Sequence, residues 1–349
     1  MTDQLFQRVR RLLREAGLGP GGRVVAGFSG GVDSLVLLHL LQQLHARQAG
    51  PEPLALHVDH GLRPESAADA ERACERAREV GVPCRVTVVD VARWGAAAIG
   101  VEAAARAARY AALADEVRRV EAAAVAMGHN RDDQAETVLL RLLRGAGLEG
   151  LAAMRTVSRR AVPRSPGGEP IELAIVRPLL ETPRAEIAGY AAAHGLRPVE
   201  DPSNAEAAFR RNRVRHELLP LAEALAPGAR ATIARTAGLL ADDAALLTQL
   251  AAEAVATVLR QDGAALLLSR EPLLALPLAL QRRVLLRAWA RQDAASEPSF
   301  ERVEALRVAL QRGVPATIEL SGGLTARVDH SGARLLRVGK ESLGGEQDS

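Results

Sequence analysis

The sequence predicts an α/β protein, a doubly wound parallel sheet followed by a second, smaller and mainly helical domain. Three observations carry that expectation. Short apolar runs bounded by glycine alternate with segments of helical period through the first part of the chain; the alternation fades near Pro227; helical periodicity dominates beyond it. Gln4 to Ala16 reads as an opening helix that stops at Gly17, followed by a glycine-rich turn. Arg23 to Phe28 reads as the first strand and Leu35 to Leu41 as its helix; Leu54 to Val58 is a second strand, Ala68 to Val80 a helix closed by Gly81, and Cys84 to Val89 a third strand. Glu102 to Val120 is again helical, Ala123 to Met127 a fourth strand, Asp132 to Leu143 a helix, and Ile175 to Leu180 a fifth strand. Ser158 to Pro170, rich in arginine, glycine and proline, reads as an exposed loop or hairpin. Right-handed crossovers put helices on both faces of such a sheet and ligands at its carboxyl edge.

Beyond Pro227 the helical stretches are Ala229 to Arg260, Leu278 to Arg291 and Phe300 to Gln311. Ala316 to Leu320, Leu324 to Val328 and Arg334 to Val338, set around Ser321, Gly322 and Gly323, read as a small antiparallel element. The expected organisation is a catalytic domain over 1–220, a mainly helical domain over 227–340 and a flexible tail over 341–349.

With 349 residues, 48% hydrophobic and 25% charged, the chain has the composition of a globular protein and enough length for two cores without disulfide or metal staples. No apolar run is long enough to cross a bilayer and nothing at the start resembles a secretory signal, so the expectation is no membrane association and a cytoplasmic location. Cys74 and Cys84 match neither a zinc site nor a redox pair and read as two ordinary buried thiols. Lys340 is the sole lysine, so the formal charge of +3 rests on arginine and is compatible with an anionic partner. A homodimer is compatible with the sequence.

The most specific short motif is Ser29, Gly30, Gly31, Val32, Asp33, Ser34, placed between the first strand and its helix. The glycines let main-chain N–H groups approach a phosphate, and the helix that follows offers unpaired N–H groups and a positive dipole end. Ser29 and Ser34 add hydroxyl donors, and Asp33 is free to hold a magnesium ion bridging phosphate oxygens. A Walker loop needs a longer glycine spacing and a lysine, so transfer of a γ-phosphate is disfavoured. A mere glycine turn feeding a helix does not require both serines, both glycines and the acid together.

The loop resembles that of the PP-loop ATP pyrophosphatases, and further segments resemble one branch of them, the tRNA(Ile)-lysidine synthetases, across roughly the first two thirds of the chain. His57, Val58, Asp59, His60, Gly61, Leu62, Arg63 follow the second strand, and by that resemblance Asp59 and His60 line the ATP site and Arg63 meets the substrate. Gly128, His129, Asn130, Arg131, Asp132, Asp133, Gln134, Ala135, Glu136, Thr137 follow the fourth strand; the resemblance places this motif where the lysine substrate and the activated base meet. The three-residue spacing of Asp133 and Glu136 puts both carboxylates on one helix face, suited to an ammonium group or a metal. Capping accounts for one acid near a helix start but not for a histidine and three acids. Glu102, Arg106, Arg109 and Tyr110 lie on adjacent turns, where Arg106 or Arg109 could steady charge on a phosphate.

Three later segments also resemble the family: Arg177 to Leu180, Asp201 to Asn204, and Phe209 to His216. In the last of these, Arg210, Arg211, Arg213 and Arg215 read as the preferred contact with tRNA. The resemblance thus implies ATP and Mg²⁺ as cofactors, free lysine and an isoleucine tRNA with a CAU anticodon as partners, and formation of an adenylated cytidine that lysine then attacks. It leaves open which arginine meets the adenylate and how Asp133 and Glu136 divide their roles. Sulfur-transferring relatives carry cysteine motifs and amidotransferases need a glutaminase cysteine, neither of which is seen here; a tRNA-binding module without turnover has no use for the acids at Asp33, Asp59, Asp132, Asp133 and Glu136.

Overall fold

A computed structural model of the chain describes residues 2–61, 65–95, 100–199, 210–292 and 298–337. By contacts the chain divides into two units, Met1–Ala241 and Asp242–Ser349. The division falls inside one long helix.

The first unit contains β1 (Arg23–Gly27), β2 (Glu52–Asp59), β3 (Cys84–Val88), β4 (Ala124–Met127), β5 (Val157–Pro163) and β6 (Pro170–Val176) in the order β3-β2-β1-β4-β6-β5. All pairings are parallel except that of β5 with β6, so the Ser158 to Pro170 region is a hairpin. Val24, Val25 and Ala26 of the central strand are at most 1% exposed. Burial on both faces is why β1 reads as a continuous apolar run. The helices are α1 (Thr2–Glu15), α2 (Val32–Ala46), α3 (Ser66–Glu79), α4 (Val101–Arg119), α5 (Arg131–Leu142), α6 (Leu148–Leu151), α7 (Arg184–Ala193), α8 (Arg210–Arg213), a π-helical turn Val214–Leu218 and α9 (Leu219–Leu225). Side chains of α1, α2, α3 and α7 form one core layer, and α4 packs with β5 and β6 in another. This is the doubly wound α/β sheet the alternation predicts.

Two expectations need correction. The strand expected over Ile175 to Leu180 is β6, which ends at Val176; Arg177 to Leu180 turn away, and Pro178 has no N–H for a ladder. Cys74 and Cys84 are not free thiols: they form a disulfide with Cα atoms 5.3 Å apart. The chain reverses after α3, through Gly81 at φ +79°, and brings β3 alongside the helix; a ten-residue separation carries no sign of that reversal.

The helix α10 (Ala229–Val258) crosses the division between the units. The second unit continues with β7 (Leu259–Asp262), β8 (Ala265–Ser269), α11 (Arg270–Leu274), α12 (Leu278–Gln292), α13 (Phe300–Arg312), β9 (Ala316–Glu319), β10 (Leu324–Val328) and β11 (Gly332–Arg337). Its five strands form an antiparallel sheet, β7-β8-β11-β10-β9. The small terminal element is therefore extended by two further strands, β7 and β8, which follow directly on α10. Trp289, Val284 and Leu285 of α12 pack with Leu306 and Leu310 of α13 and with Leu266, Ala326 and Leu335 of the sheet. No helix among the described residues is long and apolar enough to cross a membrane.

Trp289 is 1% exposed. Trp289→Ala is expected to destabilise the second unit by about 3–5 kcal/mol, measured by urea denaturation followed by far-ultraviolet circular dichroism; a loss below about 1 kcal/mol would contradict this packing.

Candidate functional site

Strand order reverses at β1: the chain runs outward through β2 to β3, then returns to β4 on the other side. In doubly wound sheets such a reversal marks a crevice at the carboxyl ends of the strands, here between the connections leaving β1 and β4. Both connections lead directly into helices.

After β1 the chain bends through Ser29 and Gly30 into α2. Gly30 has φ +83°, and a Cβ there would lie 3.1 Å from Ala73 Cβ and 3.2 Å from Val199 Cγ2. Ser34 Oγ accepts from Ser29 N at 3.3 Å and donates to Gly31 O at 3.0 Å, which fixes the bend. Gly31 is the N-cap of α2 and supplies no side-chain cap. The first-turn N–H groups, beginning with that of Val32, thus remain open to an anion and lie at the positive end of the helix.

The helix after β4 starts in the opposite way. Asn130 Oδ1 accepts from Asp133 N, and Asp133 Oδ2 accepts from Asn130 N, each at 3.0 Å, a reciprocal capping box. Arg131 N donates to Thr182 O at 3.0 Å. Of the two helices at the crevice, α2 is left open and α5 is closed on itself. The loops are in contact, since a Cβ on Gly128 would lie 3.0 Å from Ser34 N and 3.1 Å from Asp33 O.

Asp33 lies in the first turn of α2 with its side chain 20% exposed and its Oδ2 3.5 Å from Arg184 Nη2. Burial raises its pKa, Arg184 opposes that, and Asp133 raises it further. The Asn130 amide is near enough to favour the charged form, yet Asp33 Oδ1 and Asn130 Nδ2 make no well-formed hydrogen bond. A half-buried carboxylate whose charge is penalised, with one oxygen lacking a donor, fits a cation. Among the described residues no group of three or more His, Cys, Asp or Glu could hold a metal. A magnesium ion on Asp33 would draw most of its ligands from phosphate and water.

Asp132, Asp133 and Glu136 of α5 are 7%, 7% and 0% exposed. As their spacing predicts, Asp133 and Glu136 share a face, and that face meets arginines. Arg211 Nε lies 2.8 Å from Glu136 Oε2 and its Nη2 2.9 Å from Asp133 Oδ1; Arg215 Nε lies 2.6 Å from Glu136 Oε1 and its Nη2 3.2 Å from Asp133 Oδ1. Asp132 is 3.7 Å from Arg230. The π turn from Val214 to Leu218 carries Arg215 in this cluster. Arg213 instead pairs with Glu217 on its own helix at 3.0 Å, and Arg210 is exposed.

His129 has its pKa pushed down to about 3, by desolvation first and then by Arg177, Arg211, Arg106 and Arg109. It stays a neutral imidazole throughout the neutral range. His60 is lowered to about 4 by desolvation and by Arg109, whose Nη2 lies 3.2 Å from His60 Nε2. Asp59 Oδ1 accepts from Gly61 N at 2.8 Å and so closes its own loop. Arg63, like Asp201 to Asn204 and Phe209, lies outside the described residues.

The structure thus joins Asp33, His129, Asp133, Glu136, Arg106, Arg109, Arg211 and Arg215 through contacts or mutual electrostatics, with His60 reached through Arg109; Arg213 stands apart. Sequence reasoning missed Arg184, the cation beside Asp33, which opens α7 after Pro183 and sits 151 positions from its partner. It also missed Asn130 as a cap, although Asn followed by Asp three residues later is a capping-box pattern.

Residues 1–222 match the PP-loop domain family, and residues 268–330 match the TilS substrate binding domain. The chain is 41% identical over 339 residues to the tRNA(Ile)-lysidine synthase of Salinispora arenicola, covering 95% of each protein. The chain belongs to the tRNA(Ile)-lysidine synthase family. It is 39% identical to the synthase of Symbiobacterium thermophilum, covering 95% of this chain and 69% of that protein. It is 45% identical to that of Alkalilimnicola ehrlichii over 68% of this chain, and there it spans 50% of the relative's length. Among solved structures, a U34-tRNA thiolase from Methanococcus maripaludis superposes with a TM-score of 0.55, covering 69% of this chain and 79% of that one; at 20% identity this shows the fold alone.

Glu136→Ala removes one of the two carboxylates that Arg211 and Arg215 share and leaves both guanidinium groups on Asp133 Oδ1 alone. It is expected to cost about 3–5 kcal/mol of stability, read by chemical denaturation; a loss under about 1 kcal/mol would show that the cluster does not hold the site together.

Proposed function

We propose that the chain joins lysine to C2 of the wobble cytidine of an isoleucine tRNA with a CAU anticodon, through an adenylated cytidine, releasing AMP and pyrophosphate. The observation that carries this reading is the open N-terminus of α2, with its serine-glycine bend and Asp33, at the strand reversal of a chain aligned over 95% of its length with a synthase of that name.

ATP would bind with its β and γ phosphates on the bend from Ser29 to Ser34, where main-chain N–H groups and the Ser29 hydroxyl would donate to anionic oxygens. Asp33 would hold magnesium, which supplies charge neutralisation for the departing pyrophosphate. The cytidine O2 attacks the α-phosphorus; the bond to the bridging oxygen of pyrophosphate breaks. Arg106 and Arg109, on the same helix as the buried Tyr110, would meet charge on the transferring phosphoryl group. The lysine amine then attacks C2, AMP leaves with the former O2, and the amine's proton passes to a carboxylate or to solvent.

Asp132, Asp133 and Glu136 would receive the lysine ammonium group, which can share carboxylate oxygens with Arg211 and Arg215. His129, neutral with a pKa near 3, is too weak a base to take the amine's proton and would orient the base or the amine by hydrogen bonding. Asp59 and His60 border the nucleotide from the neighbouring strand, and Arg63 and the exposed Arg210 would meet the tRNA.

Two variants test the phosphate site. Asp33→Ala and Gly128→Ala should each lower tRNA-dependent exchange of labelled pyrophosphate into ATP at least about a hundredfold, equivalent to about 2.7 kcal/mol, while the circular dichroism spectrum is unchanged. Undiminished exchange in Asp33→Ala would contradict the role of that carboxylate.

A further inference from the structure

The segment from Arg210 to Arg215, the densest basic run in the sequence, is largely neutralised within the fold. Arg211 and Arg215 are spent on Asp133 and Glu136, and Arg213 on Glu217. A different group of arginines in the first unit has no such partners. Among the described residues, Arg106 of α4, Arg144 just after α5 and Arg160 of β5 are exposed and make no ion pair with a carboxylate.

Two of these side chains, those of Arg106 and Arg160, are braced against a neutral ring. The guanidinium carbons of Arg160 and Arg106 lie 4.4 Å and 5.4 Å from the centroid of one ring, that of Tyr110, which is 3% exposed. Cation–π contact holds both in place without cancelling their charge. Two further arginines between them are fixed by neutral acceptors: Arg177 Nη1 donates to Arg155 O at 2.8 Å and to Ser158 Oγ at 2.9 Å, and Arg141 Nη1 donates to Gly150 O at 2.7 Å and Ala153 O at 3.2 Å. The five cations feel one another. Arg106 and Arg144 repel Arg141, and Arg106 and Arg160 repel Arg177, each lowering its neighbour's pKa in addition to the larger effect of desolvation.

Mutual repulsion of this kind is relieved by a polyanion. The exposed members come from α4, the turn after α5 and β5, and they are linked through Tyr110 and through Arg177 and Arg141, which bond carbonyls only two residues apart, those of Arg155 and Ala153. The face adjoins the crevice, because Arg106 and Arg109 of the same helix both act on His129. Guanidinium groups pair bidentately with phosphate oxygens, and release of counterions from a phosphate backbone drives such binding.

We propose that the face formed by Arg106, Arg144 and Arg160 is the surface on which the phosphate backbone of the RNA docks beside the crevice. The identity of that RNA rests on the function proposed above; the polyanion-binding character of the face does not.

The test is fluorescence anisotropy of a labelled isoleucine tRNA transcript with a CAU anticodon, titrated with the full chain over a salt series, without ATP or lysine. The double variant Arg144→Gln/Arg160→Gln should bind about tenfold more weakly, and its slope of log affinity against log salt should be shallower by about 1.5 to 2, as expected for two phosphate contacts. Arg144→Lys/Arg160→Lys should keep most of the slope, and Arg10→Gln, a control at an exposed arginine of α1, should change neither quantity. A double glutamine variant with wild-type affinity and slope would overturn the proposal, as would a wild-type chain with no measurable RNA affinity. Polyglutamate bound as tightly as RNA, with the same loss in the variant, would overturn it in favour of an acidic protein partner. A wild-type chain that binds the RNA through this face but fails to attach lysine would contradict the proposed reaction alone.

Discussion

Glu136 is fully buried and Asp133 nearly so, and buried carboxylates keep their charge only beside cations. Arg211 and Arg215 supply those cations from 75 to 82 positions further along the chain. The pairing fastens the helical segment after residue 210 over the start of α5. Asp133 is also half of the box that caps that helix, so the same carboxylate ties a distant segment and the local backbone together. Through Gly128, which touches the backbone of Asp33 and Ser34, the start of α5 in turn sets the position of α2.

From this follows a division of labour between two adjacent helix starts. One satisfies its own N–H groups with side chains; the other ends in glycine and does not. Charge is divided likewise. The acids of α5 are balanced internally, Asp33 is left short of a full partner, and the arginines around His129 and Tyr110 are left in excess. Such an arrangement has a place for a polyphosphate with its cation and a separate surface for a longer anion.

The fold was legible because its signals are local. A central strand buried on both faces is an unbroken apolar run, and Ser29 to Ser34 fall between strand and helix where glycine and serine have few other uses. The segment from Gly128 to Glu136 was legible as a candidate site for the same reason, and the shared face of Asp133 and Glu136 follows from helical spacing. Long-range pairing was not legible. Nothing local in the run from Arg210 to Arg215 distinguishes an arginine aimed at a buried carboxylate from one aimed at RNA, and only the fold shows Arg211 and Arg215 turned inward while Arg213 stays on its own helix. Arg184 beside Asp33 and the bond between Cys74 and Cys84 were hidden for the same cause. In the second unit, β7 follows α10 without a break, so the helical period carries the expected helix on to Arg260 and masks the start of Leu259–Asp262; Ala265–Ser269 lies beyond that expected helix.

The most direct measurement is mass analysis of an isoleucine tRNA transcript with a CAU anticodon after incubation with the chain, ATP, magnesium and lysine. The account predicts that a single cytidine of the anticodon gains the mass of lysine less water, with AMP formed in equal amount. An unmodified anticodon, or cleavage of ATP to ADP, would contradict it.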